Sequence, residues 1–414
     1  MLTSVQDESR GAGDGVALSR RGRVGVTRLV LTDFRNYRSA RLDLDTGPVV
    51  LTGPNGAGKT NLLEAVSFLS PGRGLRNTRL GDIDRRGPDA EPGVSGWAVA
   101  ATVETRRGPV RIGTGRDETA IGLQPPGLSR GERRVVRIDG ESVRGQAALG
   151  ERLGIVWLTP QMDRLFVEGP GGRRRLLDRL VFGLDPAHAG RVAAYEQALR
   201  ERSRLLHDRL STNRPGDPGW LVALEDIIAE QGVAVAAGRR DAVERLDRVC
   251  AEADGPFPRA RLSLTGTVET WLDEMPALAA EERFKRALAD SRPADAAAGG
   301  GAIGPHRSDL AVSHAAKAIA AEHASTGEQK ALLISILIAH TRLQRTIRGE
   351  PPILLLDEVA AHLDAFRRAA LFEILLDLES QAWLTGTDAA LFMPLRHSAR
   401  FLSVGDGTLS ETRF

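Results

Sequence analysis

The chain reads as an α/β fold built around a phosphate-binding loop and interrupted by an inserted helical arm. Three features predict this. An apolar strand runs into a glycine-rich loop and then a helix near residues 49–69. A second apolar strand, Ile353–Leu356, ends in Asp357 and Glu358. Between them lies a long block of helix-forming composition without strand alternation.

At 414 residues the chain is long enough for two to three domains, or for one large domain carrying an insertion. Hydrophobic residues make up 42% and aromatics only 4%, so the core is aliphatic. The single cysteine, Cys250, excludes an internal disulfide framework and a cysteine-based zinc site, and fits a cytoplasmic location. No apolar run reaches transmembrane length, so no membrane partner is expected. The formal charge of +2 neither demands nor forbids nucleic acid. Only four of the 56 basic residues are lysines (Lys59, Lys285, Lys317, Lys330), and two of these fall inside motifs.

Residues 1–25 lack periodicity and are expected to be a disordered leader or an extension from a misplaced start. Residues 26–184 form the first part of the α/β domain. Alternation at Leu29 and Leu31, then at Leu42 and Leu44, predicts two strands joined by the turn Phe34–Tyr37. Val49–Thr52 is a buried strand, and Leu62, Val66 and Leu69 follow at helical spacing. Residues 95–145 are β-rich, with a hairpin signal at Asp139-Gly140 and a loop over 116–132. Ile155–Leu158 is another buried strand.

Residues 185–300 form the arm. Helices are expected over 192–210 and 221–249, broken by Ser211–Pro218, with a shorter one over 269–290 and a flexible loop over 291–301. Residues 301–414 return to α/β character. Helices are expected over 331–340 and 365–378, and strands over 353–356, 382–385 and 401–404.

Gly53-Pro54-Asn55-Gly56-Ala57-Gly58-Lys59-Thr60 fits the pattern G-x-x-x-x-G-K-[ST], followed by Asn61. Glycines let backbone N–H groups face phosphate oxygens, and the next helix adds its positive end. A lysine in this place reaches the β- and γ-phosphates of a nucleotide such as ATP, and the threonine hydroxyl binds Mg²⁺. Such a loop needs a carboxylate on a second strand. Asp357 would hold the metal and Glu358 would polarise the attacking water as general base.

Ser325-Thr326-Gly327-Glu328-Gln329 precedes a long apolar helix and resembles the signature motif of ABC-type ATPases. Asp364 resembles their D-loop. This resemblance implies an ABC-type, SMC-head-like fold in which the signature serine of one subunit completes the nucleotide site of the other in a head-to-tail homodimer. The 265 residues from Thr60 to Ser325 are long for a transporter ATPase and far too short for an SMC arm. An arm of intermediate length resembles that of the RecF recombination-repair family.

Four segments carry that resemblance: Leu31–Tyr37, with Arg35 and Asn36; Pro160–Asp178, with Gln161 in the Q-loop place; Gly304–Leu310 (G-P-H-R-x-D-L); and Leu355–Arg368. The departures are Gln161, where the family usually has an acid, and Leu176, where it has an aromatic. The resemblance implies nucleotide contacts from Arg35, Asn36, Asn61, Gln161, Ser325, Gly327, Gln329 and Asp364. It also places Gln161 with Thr60 and Asp357 near the metal, and gives the switch position to Thr387, with slow turnover.

By the same resemblance the partners are DNA at gaps and single-/double-strand junctions, together with RecR and RecO. The function implied is recombinational gap repair and replication restart, with a weak, DNA-stimulated ATPase as timer. The residues themselves offer arginine clusters: Arg73, Arg76 and Arg79; Arg130, Arg133, Arg134 and Arg137; and Arg200, Arg202, Arg204 and Arg209. The run Arg173–Arg175 is as well suited to acidic side chains. Too few aromatics exist for a base-stacking platform, so binding would be backbone-dominated and salt-sensitive. Three other readings compete: an ATPase serving a membrane transporter, another SMC-like DNA clamp, and a clamp that does not hydrolyse. The helical arm opposes the transporter reading, and Glu358 opposes the non-hydrolysing one.

Overall fold

A computed structural model describes residues 23–85, 96–116, 134–212, 218–405 and 407–412. The leader expected over 1–25 lies outside these up to residue 22, and so do Arg130 and Arg133 and nearly all of the loop expected over 116–132. Order begins before residue 25, since Val24 is already buried.

The first lobe opens with β1 (Gly25–Phe34), β2 (Tyr37–Asp43) and β3 (Val49–Thr52). Helix α1 (Lys59–Ser67) follows the phosphate loop. Then come β4 (Ala98–Thr105), β5 (Gly108–Arg116), β6 (Arg134–Ile138), β7 (Glu141–Ser142), α2 (Ala147–Arg152) and β8 (Ile155–Leu158). Helix α3 (Pro170–Leu184) was not expected from periodicity; Pro170 sits in its first turn, where a missing N–H does no harm.

The middle of the chain holds α4 (His188–Thr212), α5 (Pro218–Ala251), β9 (Ala260–Thr265), α6 (Thr267–Glu274) and α7 (Ala277–Ala298). The remainder comprises β10 (Asp309–His314), β11 (Ile319–Ala320), α8 (Thr326–Arg348), β12 (Ile353–Leu356), α9 (Ala365–Asp377), β13 (Ala382–Gly386), β14 (Arg400–Gly405) and β15 (Thr408–Glu411).

Two expectations are corrected here. The helix expected over 269–290 is two helices broken at Met275-Pro276. The loop expected over 291–301 is helical through Ala298 despite Pro293. Tertiary contacts carry the helix past the proline: Arg202 donates to the Leu288 carbonyl (2.7 Å) and to Asp295 (2.7 Å), and Ser291 donates to Asp295 (2.7 Å). Gly299, with φ of 70°, ends the helix in the left-handed conformation open to glycine. β9 was also unforeseen; it pairs antiparallel with β10, from Ala260↔His314 to Thr265↔Asp309.

The central sheet has the order β15-β14-β3-β13-β12-β8, parallel except for the edge strand β15. Strands β3, β8, β12 and β13 are buried on both faces, and their alternate residues serve two cores. Val49, Leu51, Ile155, Trp157, Ile353, Leu355 and Trp383 face a core shared with α1 and the antiparallel sheet β2-β1-β4-β5-β6-β7. Val50, Val156, Leu158, Leu354, Leu356 and Leu384 face a core built from α3, α8, α9, the C-terminal half of α5, and β9 and β10. A third cluster, around Tyr195, Ile228, Trp271 and Phe284, holds α4, α5, α6 and α7 together.

Candidate nucleotide site

The strand order dictates the site. β13 lies between β3 and β12 and runs parallel to both, so the loop after β3, the acids after β12 and the last residues of β13 meet at the C-terminal end of the sheet. Thr60 Oγ1 lies 3.1 Å from both carboxylate oxygens of Asp357, across 297 residues of sequence. Thr385 Oγ1 donates to Asp357 Oδ1 at 2.7 Å and accepts from the Glu358 backbone N–H at 2.8 Å.

The phosphate loop is shaped by close approach. A Cβ on Gly53 would lie 2.2 Å from the Val404 carbonyl, and Gly53 has φ of 149°. A Cβ on Gly58 would lie 2.5 Å from Asn36 Nδ2. The β1–β2 turn therefore seats directly on the loop. Asn36 donates to the Ala57 carbonyl (3.1 Å), and the Tyr37 hydroxyl donates to the Gly58 carbonyl (3.0 Å). Helix α1 begins at Gly58 without a side-chain cap or an acid in its first turn, which leaves its N–H groups for an anion.

Lys59 is folded back onto the loop, its Nζ donating to the Gly53 (2.7 Å) and Pro54 (2.9 Å) carbonyls. Burial lowers its pKa, while Glu358 and Asp357 act to raise it. Burial raises the pKa of Asp357; its bonds from Thr385 and Thr60 and the charge of Arg76 lower it, and Glu358 raises it further. Glu358 takes the left-handed conformation (φ 51°), costly for a non-glycine residue and common at functional turns.

A hydroxyl and a carboxylate in contact at the mouth of a phosphate loop suit Mg²⁺, which takes one or two protein oxygens alongside water and phosphate. Among the described residues no cluster of three or more His, Cys, Asp or Glu is placed to hold a metal.

Several expected ligands are engaged elsewhere. Arg35 donates to both Glu64 oxygens (2.9 and 2.8 Å) and to the Asp82 carbonyl (2.7 Å). Arg76 donates to Glu64 (2.6 Å) and Asn61 (2.7 Å), and Asn61 donates to Asn36 (2.7 Å). The fully buried Glu64 carboxylate holds both arginines, because an unpaired charge there would be costly. Arg35, Asn61 and Arg76 thus brace α1 in this structure.

Ser325 caps α8 in a reciprocal box with Glu328, whose carboxyl is held at about 2 by Lys317 and Ser325. Ser325, Thr326 and Gly327 are exposed, and a Cβ on Gly327 would meet open space. Gln329 is turned inward, donating to the Ala324 carbonyl at 2.9 Å. Asp364 is exposed and caps α9 by accepting from Arg367 N (2.8 Å). Gln161 is exposed on the short turn Pro160–Arg164. Thr387, expected at the switch position, is exposed beyond β13, whereas Thr385 at the end of that strand binds Asp357.

Of the described arginine clusters, Arg73, Arg79, Arg137, Arg200 and Arg204 are exposed. Arg134 and Arg202 are corrected. Arg134 is buried over the Phe68 ring and donates to the carbonyls of Phe68 and Gly72, closing the end of α1. Arg202 is wholly buried between Glu225 and Asp295. A buried guanidinium satisfied by protein acceptors has nothing left for phosphate. Arg173 pairs with Asp309 (2.7 Å), and Arg174 donates to the Ser308 carbonyl (2.8 Å).

Residues 25–404 match the model of the RecF/RecN/SMC N-terminal domain family. The chain is 49% identical over 389 residues to the DNA replication and repair protein RecF of Mesorhizobium japonicum, covering 94% of this chain and 98% of the relative. It is 47% identical over 391 residues to the protein of the same name from Rhizobium meliloti, covering 94% and 99%. In fold it is similar to the solved structure of the recombination mediator protein RecF-ATPrS in the RecFOR pathway, with TM-score 0.77, 20% identity and coverage of 94% and 98%. The corresponding RecF-ATP structure gives TM-score 0.74 at 20% identity, covering 94% of this chain and 98% of that one.

Proposed function

This chain belongs to the RecF family of DNA replication and repair proteins, and from that premise we propose that it is an ATP-driven dimer that holds gapped DNA. The carrying observation is the convergence of Thr60, Asp357 and Thr385 at the mouth of a phosphate loop. Backbone N–H groups of the loop and of α1 bind the phosphates. Lys59 leaves the Gly53 and Pro54 carbonyls to pair with them. Thr60 and Asp357 hold Mg²⁺, which when bound neutralises phosphate charge. Glu358 accepts the proton of the attacking water. The exposure of Ser325 and Gly327 supports their use by a second copy: in a single chain they complete no site.

Hydrolysis separates the copies and releases DNA, so slow turnover sets the holding time. The exposed arginines Arg73 and Arg79 suit contacts to the phosphate backbone, and single-/double-strand junctions are the expected target. RecR and RecO are the partners that family membership suggests, and the cytoplasm is the expected location. No helix among the described residues is long and apolar enough to cross a membrane.

Sedimentation with and without Mg²⁺·ATP and a gapped duplex tests the reading. The expected result is a mass that doubles with ATP, cosediments with the gapped DNA, and does neither in Lys59→Ala. A chain that binds ATP yet stays monomeric overturns the sandwich.

A further inference from the structure

Arg173, at the end of the first turn of α3, uses every nitrogen of its guanidinium. Nε and Nη2 donate to Asp309 Oδ1 (2.7 Å) and Oδ2 (2.8 Å), a bidentate pair at the start of β10. Nη1 donates to the carbonyls of Leu165 (3.1 Å), Phe166 (3.2 Å) and Glu168 (2.7 Å), in the loop that leaves the Gln161 turn. The strand that Arg173 grips leads through β11 to Ser325. A second contact joins the same two regions: Lys330, on α8, lies 3.5 Å from Asp163, two residues beyond Gln161. Gln329 ties the chain before Ser325 to that same helix.

We propose that Arg173 and Asp309 are positioning residues for the composite site, holding the Gln161 turn and the Ser325 segment in a single register. This rests on the reading of Ser325 as the element that completes the partner's site. The planar fork matters. Lysine carries one ammonium and cannot bind a carboxylate bidentately while also satisfying three carbonyls. With the clamp cut, each segment still folds, but Gln161 and Ser325 no longer move as one body. Nucleotide binding at the phosphate loop is untouched, because Arg173 contacts none of it. What suffers is the assembly of the hydrolytic state, where small displacements are costly.

The experiment compares Arg173→Lys, Asp309→Asn and, as a milder cut on the second contact, Lys330→Met with the full-length wild type. Affinity for ATP, kcat and KM for ATP hydrolysis, and ATP-induced mass are measured. The expected result for Arg173→Lys and Asp309→Asn is ATP affinity and KM within about twofold of wild type, with kcat down by as much as about 10²-fold. ATP-induced dimer should be lost in step. Lys330→Met should show the same split at smaller size, and it decides the matter if the other two fail to fold. A kcat that falls only in proportion to ATP affinity indicates a merely structural role and overturns the proposal. So does unchanged kcat with folded variants. Wild type that neither dimerises nor turns over ATP overturns the composite-site reading first, and this inference with it.

Discussion

Thr385 Oγ1 donates to Asp357 Oδ1 at 2.7 Å and accepts from the backbone N–H of Glu358 at 2.8 Å, so one hydroxyl ties the carboxylate of the first acid to the backbone of the second. The two threonines near the end of β13 are therefore unequal. Replacing Thr385 with Val keeps its shape and removes both bonds, one of them to a charged group. Hydrolysis should fall roughly 10- to 100-fold, with ATP affinity much less affected. Thr387→Ala, at an exposed position, should stay within about twofold. Steady-state ATPase assays decide between them; a deeper loss at Thr387 would return the switch role to that residue.

Glu358→Gln removes the proton acceptor but leaves Thr60 and Asp357 to hold the metal. Hydrolysis should drop roughly 10²–10⁴-fold while Mg²⁺·ATP still binds. ATP and the dimer then persist, so DNA release at fixed salt should slow. Salt is held constant because phosphate contacts are screened. Lost hydrolysis with unchanged release would uncouple the ATP cycle from DNA holding.

Ser325→Arg places a bulky cation on the exposed end of α8 and removes its cap. The cap loss should cost about 1 kcal/mol of stability. ATP binding should persist, since the phosphate loop is elsewhere, but the mass should no longer double with ATP. Light scattering with and without nucleotide measures this, and a mutant that still doubles excludes Ser325 from the interface.

His340 gives stability a pH dependence. It is fully buried, its Nε2 donates to the Leu180 carbonyl (2.8 Å), and burial lowers its pKa to about 4 from 6.5. The folded chain holds it neutral, so protons favour the unfolded state. Its contribution is complete above about pH 6.5 and is lost as pH falls toward 4, by about 3 kcal/mol at most. Unfolding midpoints of wild type and His340→Leu across that window should show a smaller slope for the mutant. Equal slopes would assign the acid sensitivity to other groups.

Features set by neighbours along the chain were legible in the residues. The phosphate loop, the strand ending in Asp357 and Glu358, and the Asp139-Gly140 hairpin each depend on spacing, turn chemistry or a short apolar run. Each appears where expected. Features set by partners far along the chain were not. Thr385 reaches Asp357 because β13 is inserted between β3 and β12, an order that no local pattern encodes. Residues 291–298 look like loop until Arg202, 93 positions before Asp295, meets that carboxylate. Arginine composition likewise says nothing about destination. Arg79 faces solvent, whereas Arg134 and Arg202 are buried against acceptors supplied by other elements, and burial turns a phosphate-seeking cation into a structural pin.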